Sequence, residues 1–559
     1  MELPYYDFFE SSPETNQDNG DEVRVIFVAW PYMNGKLHVG HLAGYLIPAD
    51  VIARAFRMRR FKTLMVSGSD CYGTPILLTA FKEKVTPWEV VSFYHEEALK
   101  LFRLLKLTFD NYTATVNKTH HEVVKWFFVE ILRNGFFEKG KDRQFFSPSL
   151  SRFVPDRFVI GECPYCKAKE IKSDQCEECS AVLLPEQVIN PVSIFDNKPV
   201  ELRESEHYFL AWPKLQSEIQ NYFELHRSLW RPWVVSETEK WLREGLKKRA
   251  VTRDLDWGIE IPVDKIDESL RLADIHKKRI YVWFEAVTGY YSSTVEYCLR
   301  KGLEVDRFWK NPKARHYYFM GKDNLPFHTI FWPGQLIATR KDFLLPYFPA
   351  INQYLLFGTD KFSKSKGRIV DSYDFTNKYG TDYVRFYFSA FAPEASDFSF
   401  SEEHFKEQCN SLLVDKVGNF VSRVSKLAGL DFRPILSFEA FLDFEPFLKK
   451  YIEATDKAST RELCQAILDF ADFLNKDFTD KRPWSFERGS HTFQVLMSKY
   501  TGSIILLLNI LKPVIPGAIS RAEKQFNLNL TYLIDSKELF EKELSSFKIN
   551  ALANMFEKI

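Results

Sequence analysis

The segment from residue 23 to residue 70 constrains the fold more than any other part of the chain. Residues 23–29 (VRVIFVA) form a short apolar, β-branched run of the kind that makes a buried strand. Turn residues follow at Pro31, Asn34 and Gly35, and a helical pattern runs from about 37 to 60. Residues 63–67 read as a second short strand, closed by Gly68-Ser69-Asp70. Strand, loop, helix and strand in that order open a parallel α/β sheet, because a parallel partner is reached only through a crossover. Such sheets bind ligands at the carboxyl ends of their strands, here the loop at 30–41 and the residues around Asp70.

The chain has 559 residues, too many for one core, and a prior of roughly 150 residues per domain gives three or four units. The α/β rhythm stops near 145 and returns after 255 with the strand-like runs 279–284, 316–320 and 354–357. From 402 onward the pattern is helical, with Pro483, Pro513 and Pro516 at helix boundaries. The expected division is a poorly ordered N-terminal arm over 1–22, a first half of the sheet domain over 23–144 and an insertion over 145–255. The second half of the sheet domain over 256–358, a basic linking region over 359–401 and an α-helical domain over 402–559 complete it. The acidic N-terminus lacks the basic and apolar regions of a signal peptide. The longest apolar run, 504–511, is broken by Asn509 and too short to cross a bilayer, so a cytoplasmic protein with no membrane partner is expected. Lys+Arg and Asp+Glu each number 75, which excludes a wholly basic surface but not a local nucleic-acid patch.

Two motifs carry chemistry. His38-Val39-Gly40-His41 stands where the first loop enters the helix, and histidines three apart share one face of its first turn. Backbone N–H groups at a helix N-terminus attract phosphate, and Gly40 lets a flat group approach the backbone. The competing reading is two polar residues near a helix cap. Lys361-Phe362-Ser363-Lys364-Ser365-Lys366-Gly367 is a cationic, hydroxyl-bearing loop after a strand candidate. It suits the β- and γ-phosphates of a nucleotide and the charge of departing pyrophosphate. Alone it reads as a solvated basic loop; together, each at a strand end, the two motifs favour a nucleotide site. Cys163-x2-Cys166 and Cys176-x2-Cys179 have the spacing of a closed, tetrahedral, structural Zn²⁺ site. A disulfide pair is the weaker alternative without a secretory signal.

The two motifs resemble the HIGH and KMSKS signatures of class I aminoacyl-tRNA synthetases. AWPYMNGKLHVGHLAG, GSDCYGTPI, PDRFVIGECPYC, KSDQCEEC, TRDLDWG, YVWFEAVTGY, MGKDNLPFH and KRPW are similar to stretches of methionyl-tRNA synthetases and run in that family's order. The resemblance implies an α/β fold: a class I Rossmann-type parallel sheet, interrupted by a zinc-bearing insertion and followed by an α-helical anticodon-binding domain. It implies a methionine–tRNA ligase that makes methionyl-adenylate from methionine and ATP and charges tRNA(Met). His38, His41, Lys361 and Lys364 would be catalytic. His38, Gly40, His41, Asp323, Lys361, Ser363, Lys364 and Ser365 would bind ATP, with Mg²⁺ on its phosphates and Asp323 on its ribose. Ala29, Trp30, Tyr32, Asp70, Trp283, Ala286, Tyr290 and His328 match the methionine pocket, with Asp70 on the ammonium group. Asn419, Arg423 and Trp484 match positions that read the CAU anticodon. Arg253 and Asp254 match a further motif without an assigned role.

The chain departs from the family at Cys71-Tyr72, where Glu-His is common, and at Trp30, Val287, Asn324 and Phe362. Three other readings stand beside this one: a class I synthetase for another apolar amino acid, a non-catalytic tRNA-binding relative, and a nucleotidylyltransferase. The short insertion argues against the first, the intact motifs against the second, and the long helical C-terminal region against the third. A monomer is expected, since no oligonucleotide-binding barrel is seen after the helical region.

Overall fold

The computed structural model describes residues 2–9, 22–173, 176, 178–179, 183–357, 360–361, 370–550 and 555–559. Five parallel strands make the central sheet: β1 (Val23–Val28), β2 (Lys62–Ser69), β3 (Asn111–Ala114), β4 (Ala314–Gly321) and β5 (Phe348–Asn352). Their order is β5-β4-β1-β2-β3. β1 is central and buried throughout, as its unbroken apolar sequence requires. It pairs with β4 on one side and β2 on the other, so the chain order reverses next to it. The loop at 29–38 leaves β1 at this switch point. It enters a helical run of Val39–His41, the π-type turn Leu42–Leu46 and Ile47–Met58, together α1. Two further helices reach the same end of the sheet, α2 (Lys118–Arg133) and α3 (Gly289–Lys301).

Three expectations are corrected. Residues 279–284 are not one strand: Lys278–Ile280 belongs to a small antiparallel sheet, and the chain turns at Tyr281 into the helix Val282–Glu285. Its aromatic residues carry strand propensity but are buried on a helix, a case of tertiary packing overriding local preference. Residues 354–357 lie outside the central sheet, because Leu355–Phe357 pairs with Asp360–Lys361 and Phe398–Phe400. The fifth sheet strand is β5, an edge strand whose Pro349 masks its strand character. Residues 2–9, expected to be poorly ordered, cover the edge of β3: Tyr6 and Tyr112 exchange two backbone hydrogen bonds of 2.8 Å, and Leu3 and Tyr6 are buried.

The insertion projects on a two-stranded ribbon, Phe137–Ser147 against Glu201–Leu210. Beyond it Val159–Glu162, Ile171–Lys172 and Ile189–Ser193 form a small sheet with its own core around Phe145, Phe158 and Val159. The C-terminal region is helical, including α4 (Thr381–Ala390), α5 (Asn419–Ala428), α6 (Thr460–Lys481) and α7 (His491–Leu511). α7 is long and apolar enough to cross a bilayer, yet 83% of that stretch is buried inside the protein, the signature of a core helix. Arg385 of α4 ties the C-terminal helices to α1. It is fully buried, lies 2.7 Å from Asp50 of α1, and donates to the carbonyls of Leu105, Pro513 and Val514.

Candidate active site

His38 caps α1. The Gly40 N–H donates to its Nδ1 at 3.2 Å, and its own N–H donates to His41 Nδ1 at 3.1 Å. In the tautomer that accepts both bonds, each ring carries its proton on Nε2 and presents it as a donor; His41 Nδ1 also lies 3.3 Å from the His38 carbonyl. The ring centroids are 4.0 Å apart. Residues 370–372, which follow the lysine loop, pair with this turn. The Val39 N–H donates to the Val370 carbonyl and the Ser372 N–H to the Leu37 carbonyl, each at 3.2 Å. The loop opens at Lys361, whose backbone pairs with Leu356. Ser363, Lys364 and Ser365 lie outside the described residues. Both ends of the lysine loop are therefore anchored near the strand ends, and one of them rests on the histidine turn. Asp323 is exposed just past β4 and accepts the Tyr354 hydroxyl proton.

Asp70 stands at the end of β2. Its backbone bonds to Pro31 and Met33, each at 2.9 Å, fasten the loop after β1 to β2. Its buried carboxyl accepts the Tyr72 N–H at 3.2 Å. Burial and the nearby Glu285 raise its pKa well above the ordinary carboxylate range, a state that an arriving ammonium group would relieve. Trp283 is buried and donates Nε1–H to the Ala250 carbonyl at 3.0 Å. The Tyr290 hydroxyl donates to His328 Nε2 at 2.6 Å, because His328 spends Nδ1–H on the Asn324 carbonyl at 2.8 Å. Burial lowers the His328 pKa to about 4, so the ring is neutral. Ala286 lies between Trp283 and Tyr290 and is half-buried; Ala29 is buried at the end of β1, and Tyr32 is exposed. Trp30 lies against Gly68 and Gly289, and a Cβ on Gly289 would stand 2.6 Å from its ring. A tryptophan fits here only because both neighbours are glycine. Trp30 thereby meets the end of β2 on one side and the turn bearing Trp283, Ala286 and Tyr290 on the other.

Several residues of the site were not read from the sequence. Arg249 holds its guanidinium 5.2 Å from the Trp283 ring and 4.7 Å from that of Phe331. Glu285 and His120 are buried together beside Trp30. A glutamate inside the apolar run YVWFEAV was the available signal for Glu285; nothing local marked Arg249 or His120. On the strand Thr252–Asp254, Asp254 bonds to Ser205 at 2.5 Å and Lys278 at 2.8 Å. Burial opposes its ionisation, but His207, Lys278 and Ser205 pull its pKa down to about 2. Strand alternation sends Arg253 the other way, over the Tyr281 ring at 4.6 Å.

The sulfurs of Cys163, Cys166, Cys176 and Cys179 lie within 4.8 Å of one another, with 3.8 Å between Cys163 and Cys179 and 3.5 Å between Cys166 and Cys176. Tetrahedral Zn²⁺ with bonds of about 2.3 Å would set its thiolates about 3.8 Å apart, so the donor set fits. The surrounding core is small, and Cys163 and Cys176 are themselves part of it. A metal would therefore supply much of the folding free energy of this module. Chelation, or Cys176→Ser, is expected to abolish hydrogen-exchange protection across 159–193 while protection of the central sheet persists. Unchanged protection in that segment would refute a structural metal.

On the C-terminal helices, Arg423 of α5 lies 4.8 Å from the Phe478 ring and 5.7 Å from that of Trp484, which is 47% exposed. Asn419 is exposed one turn before Arg423 on the same helix face. These three, separated by up to 65 positions, bring an amide, a guanidinium and an exposed indole together on one surface.

A family model described as tRNA synthetases class I (M) matches residues 24–425. The methionine–tRNA ligase of Roseiflexus sp. (strain RS-1) is 40% identical over 479 residues, covering 82% of this chain and 79% of its own. That of Thermoplasma acidophilum is 36% identical over 543 residues, covering 95% and 96%. Among solved structures, methionyl-tRNA synthetase of Mycobacterium tuberculosis in complex with methionyl-adenylate superposes with a TM-score of 0.75 at 19% identity, over 96% of this chain and 99% of that one.

Proposed function

Because the chain belongs to the methionine–tRNA ligase family of class I tRNA synthetases, we propose that it activates methionine with ATP and transfers it to the 3′-terminal ribose of tRNA(Met). The observation that carries the reading is the pairing of residues 37–39 with 370–372 at the switch point of the sheet, beside the buried Asp70. It sets donors for phosphate at the same end of the sheet as a buried carboxyl that has no ion-pair partner among the described residues.

In this reading the methionine carboxylate attacks the α-phosphorus of ATP in line. The bond to the bridging oxygen breaks, and pyrophosphate leaves. His38 and His41 donate from Nε2 to the phosphate oxygens as charge builds, and Lys361 and Lys364 neutralise the departing pyrophosphate. Gly40, Ser363 and Ser365 add contacts to the nucleotide, and Asp323 accepts its ribose hydroxyls. Asp70 holds the ammonium group. Ala29, Trp30, Tyr32, Trp283, Ala286, Tyr290 and His328 surround the side chain, for which an apolar and polarizable slot is suited. A ribose hydroxyl of the tRNA then attacks the carbonyl carbon and AMP leaves. Mg²⁺ carried on the ATP phosphates would lower their charge, and Cys163, Cys166, Cys176 and Cys179 would hold a structural Zn²⁺.

Asn419, Arg423 and Trp484 read the CAU anticodon. The domain division follows these roles: arm 1–22, catalytic halves 23–144 and 256–358, insertion 145–255, lysine-loop region 359–401 and anticodon-binding domain 402–559. The chain works as a cytoplasmic monomer. Amino-acid-dependent exchange of labelled pyrophosphate into ATP, screened over all twenty amino acids, tests the reading. Exchange with methionine alone is expected; exchange with another amino acid, or with none, would overturn it.

A further inference from the structure

A buried chain of side chains lies against the amino-acid pocket, and the reaction as written does not use it. Glu285 is 0% exposed and His120 of α2 is 1% exposed. His120 Nε2 is 2.7 Å from Glu285 Oε2, and its Nδ1 is 2.8 Å from Ser292 Oγ. With the Ser292 hydroxyl donated to the Gly289 carbonyl at 3.1 Å, Ser292 accepts from His120, and Nδ1 carries a proton. The contact between Nε2 and Oε2 then holds one proton more. It is either an imidazolium with a carboxylate or a neutral imidazole with a carboxylic acid.

The surroundings select the neutral pair. Glu285 Oε1 has no hydrogen-bond partner among the described residues, and Trp30, whose Nε1 also has none, lies 5.8 Å from His120 between ring centroids. A carboxylate with a bare oxygen in such a site is the costly form. Burial raises the Glu285 pKa well above the carboxylate range and lowers that of His120 to about 3. The titratable groups around the pair are Asp70, Cys71 and Tyr72 past β2 and His121 on α2, and burial opposes the charged form of each.

We propose that Glu285 works as a protonated acid, its hydroxyl donated to His120 Nε2, so that Asp70 alone carries the negative charge that receives the amino group of the substrate. This rests on the role given to Asp70 above. Two carboxyls in one buried field do not both ionise, and the site separates their tasks by what each faces. Asp70 accepts a backbone N–H, which favours its anion. Glu285 faces a nitrogen lone pair, which requires its proton. Glu285 is a positioning residue: through His120 and Ser292 it orients the Gly289 carbonyl, next to Trp30 and Tyr290.

Infrared spectroscopy of the zinc-loaded chain at neutral pH with saturating methionine tests the proton directly. A carbonyl-stretch band of a protonated carboxyl is expected, which shifts when glutamate is carbon-13 labelled and vanishes in Glu285→Gln. Absence of a glutamate-dependent band overturns the proposal. Should that variant fail to fold, His120→Phe removes the acceptor and must move the band; an unmoved band overturns it equally. In pyrophosphate exchange, Glu285→Ala is expected to raise the KM for methionine about tenfold with the KM for ATP unchanged. Glu285→Gln, which still donates to His120, recovers most of that loss. A glutamine as poor as alanine would mean that charge is required, against the proposal. Asp70→Asn separates the two readings. If it leaves the KM for methionine unchanged, the role of Asp70 fails, while the infrared band still decides the state of Glu285.

Discussion

Replacing His41 by asparagine is expected to slow adenylate formation by roughly 10²–10³-fold, the usual consequence of losing one preorganised donor to a transition-state oxygen. The geometry makes this substitution selective. An asparagine Oδ1 falls near the position of Nδ1 and still accepts the His38 N–H, so the start of α1 keeps its cap. Nothing in asparagine reaches the position of Nε2, where the donated proton sits. Glutamine has the reverse property, with a donor near Nε2 and a weakened cap. Single-turnover rates should therefore fall in the order wild type, His41→Gln, His41→Asn, while the melting temperature of His41→Asn stays close to wild type and the affinity for methionine is retained. An asparagine variant that forms adenylate at the wild-type rate would remove His41 from the chemistry.

Arg385→Met is expected to cost about 3–5 kcal/mol of stability, because it removes one of the two cations that hold a charged Asp50 in the core. Asp50 is fully buried and holds Arg385 at 2.7 Å, Arg54 at 2.9 Å and the Thr108 N–H at 2.6 Å. The same substitution leaves the carbonyls of Leu105, Pro513 and Val514 without their donor. Burial alone would raise the Asp50 pKa, but Arg54, Arg385 and Thr108 outweigh it and hold the carboxyl well below its ordinary value. Burial also weakens the hold of Arg385 on its proton, yet a guanidinium keeps its charge throughout the range in which proteins fold, so the carboxyl governs the pH response. An aspartate in the unfolded chain takes a proton near pH 3.9, above the point at which the folded one does. The unfolded state therefore binds more protons as the pH falls, and the contribution of Asp50 is full above about pH 4 and lost below it. Urea unfolding from pH 3 to 7 should show this acid limb in wild type and a weakened one in Arg385→Met. Asp50→Leu combined with Arg54→Met and Arg385→Met should recover part of the loss, since no charge is then left unpaired. A single Arg385→Met variant within 1 kcal/mol of wild type, roughly the value of an exposed pair, would refute the account.

Local pattern made much of this legible. The run 23–29 announced a buried strand through its composition, and the cysteine spacing announced a four-thiol cluster because two residues between cysteines let both thiols face one point. Misreadings arose where a neighbour overrode local preference. YVWFEAV has strand-forming residues but folds as a pocket helix, because its aromatic groups pack against Trp212 and Phe331. β5 was hidden by a proline that an edge strand tolerates. The N-terminal segment looked loose because its polar composition says nothing about the sheet edge at β3 that it covers.

The sequence by itself determined the class of fold, the place of the histidine motif after the first strand and the cluster of four thiols. These depend on periodicity and on spacings of a few residues, which the backbone converts directly into geometry. The tertiary structure alone decided that residues 370–372 close onto residues 37–39, that Trp30 rests on Gly68 and Gly289, that Arg423 meets Trp484, and that Glu285 meets His120. Each of these joins residues tens to hundreds of positions apart. Periodicity says which face of an element is apolar, but which face lies opposite it follows from strand order and from the packing of the whole core.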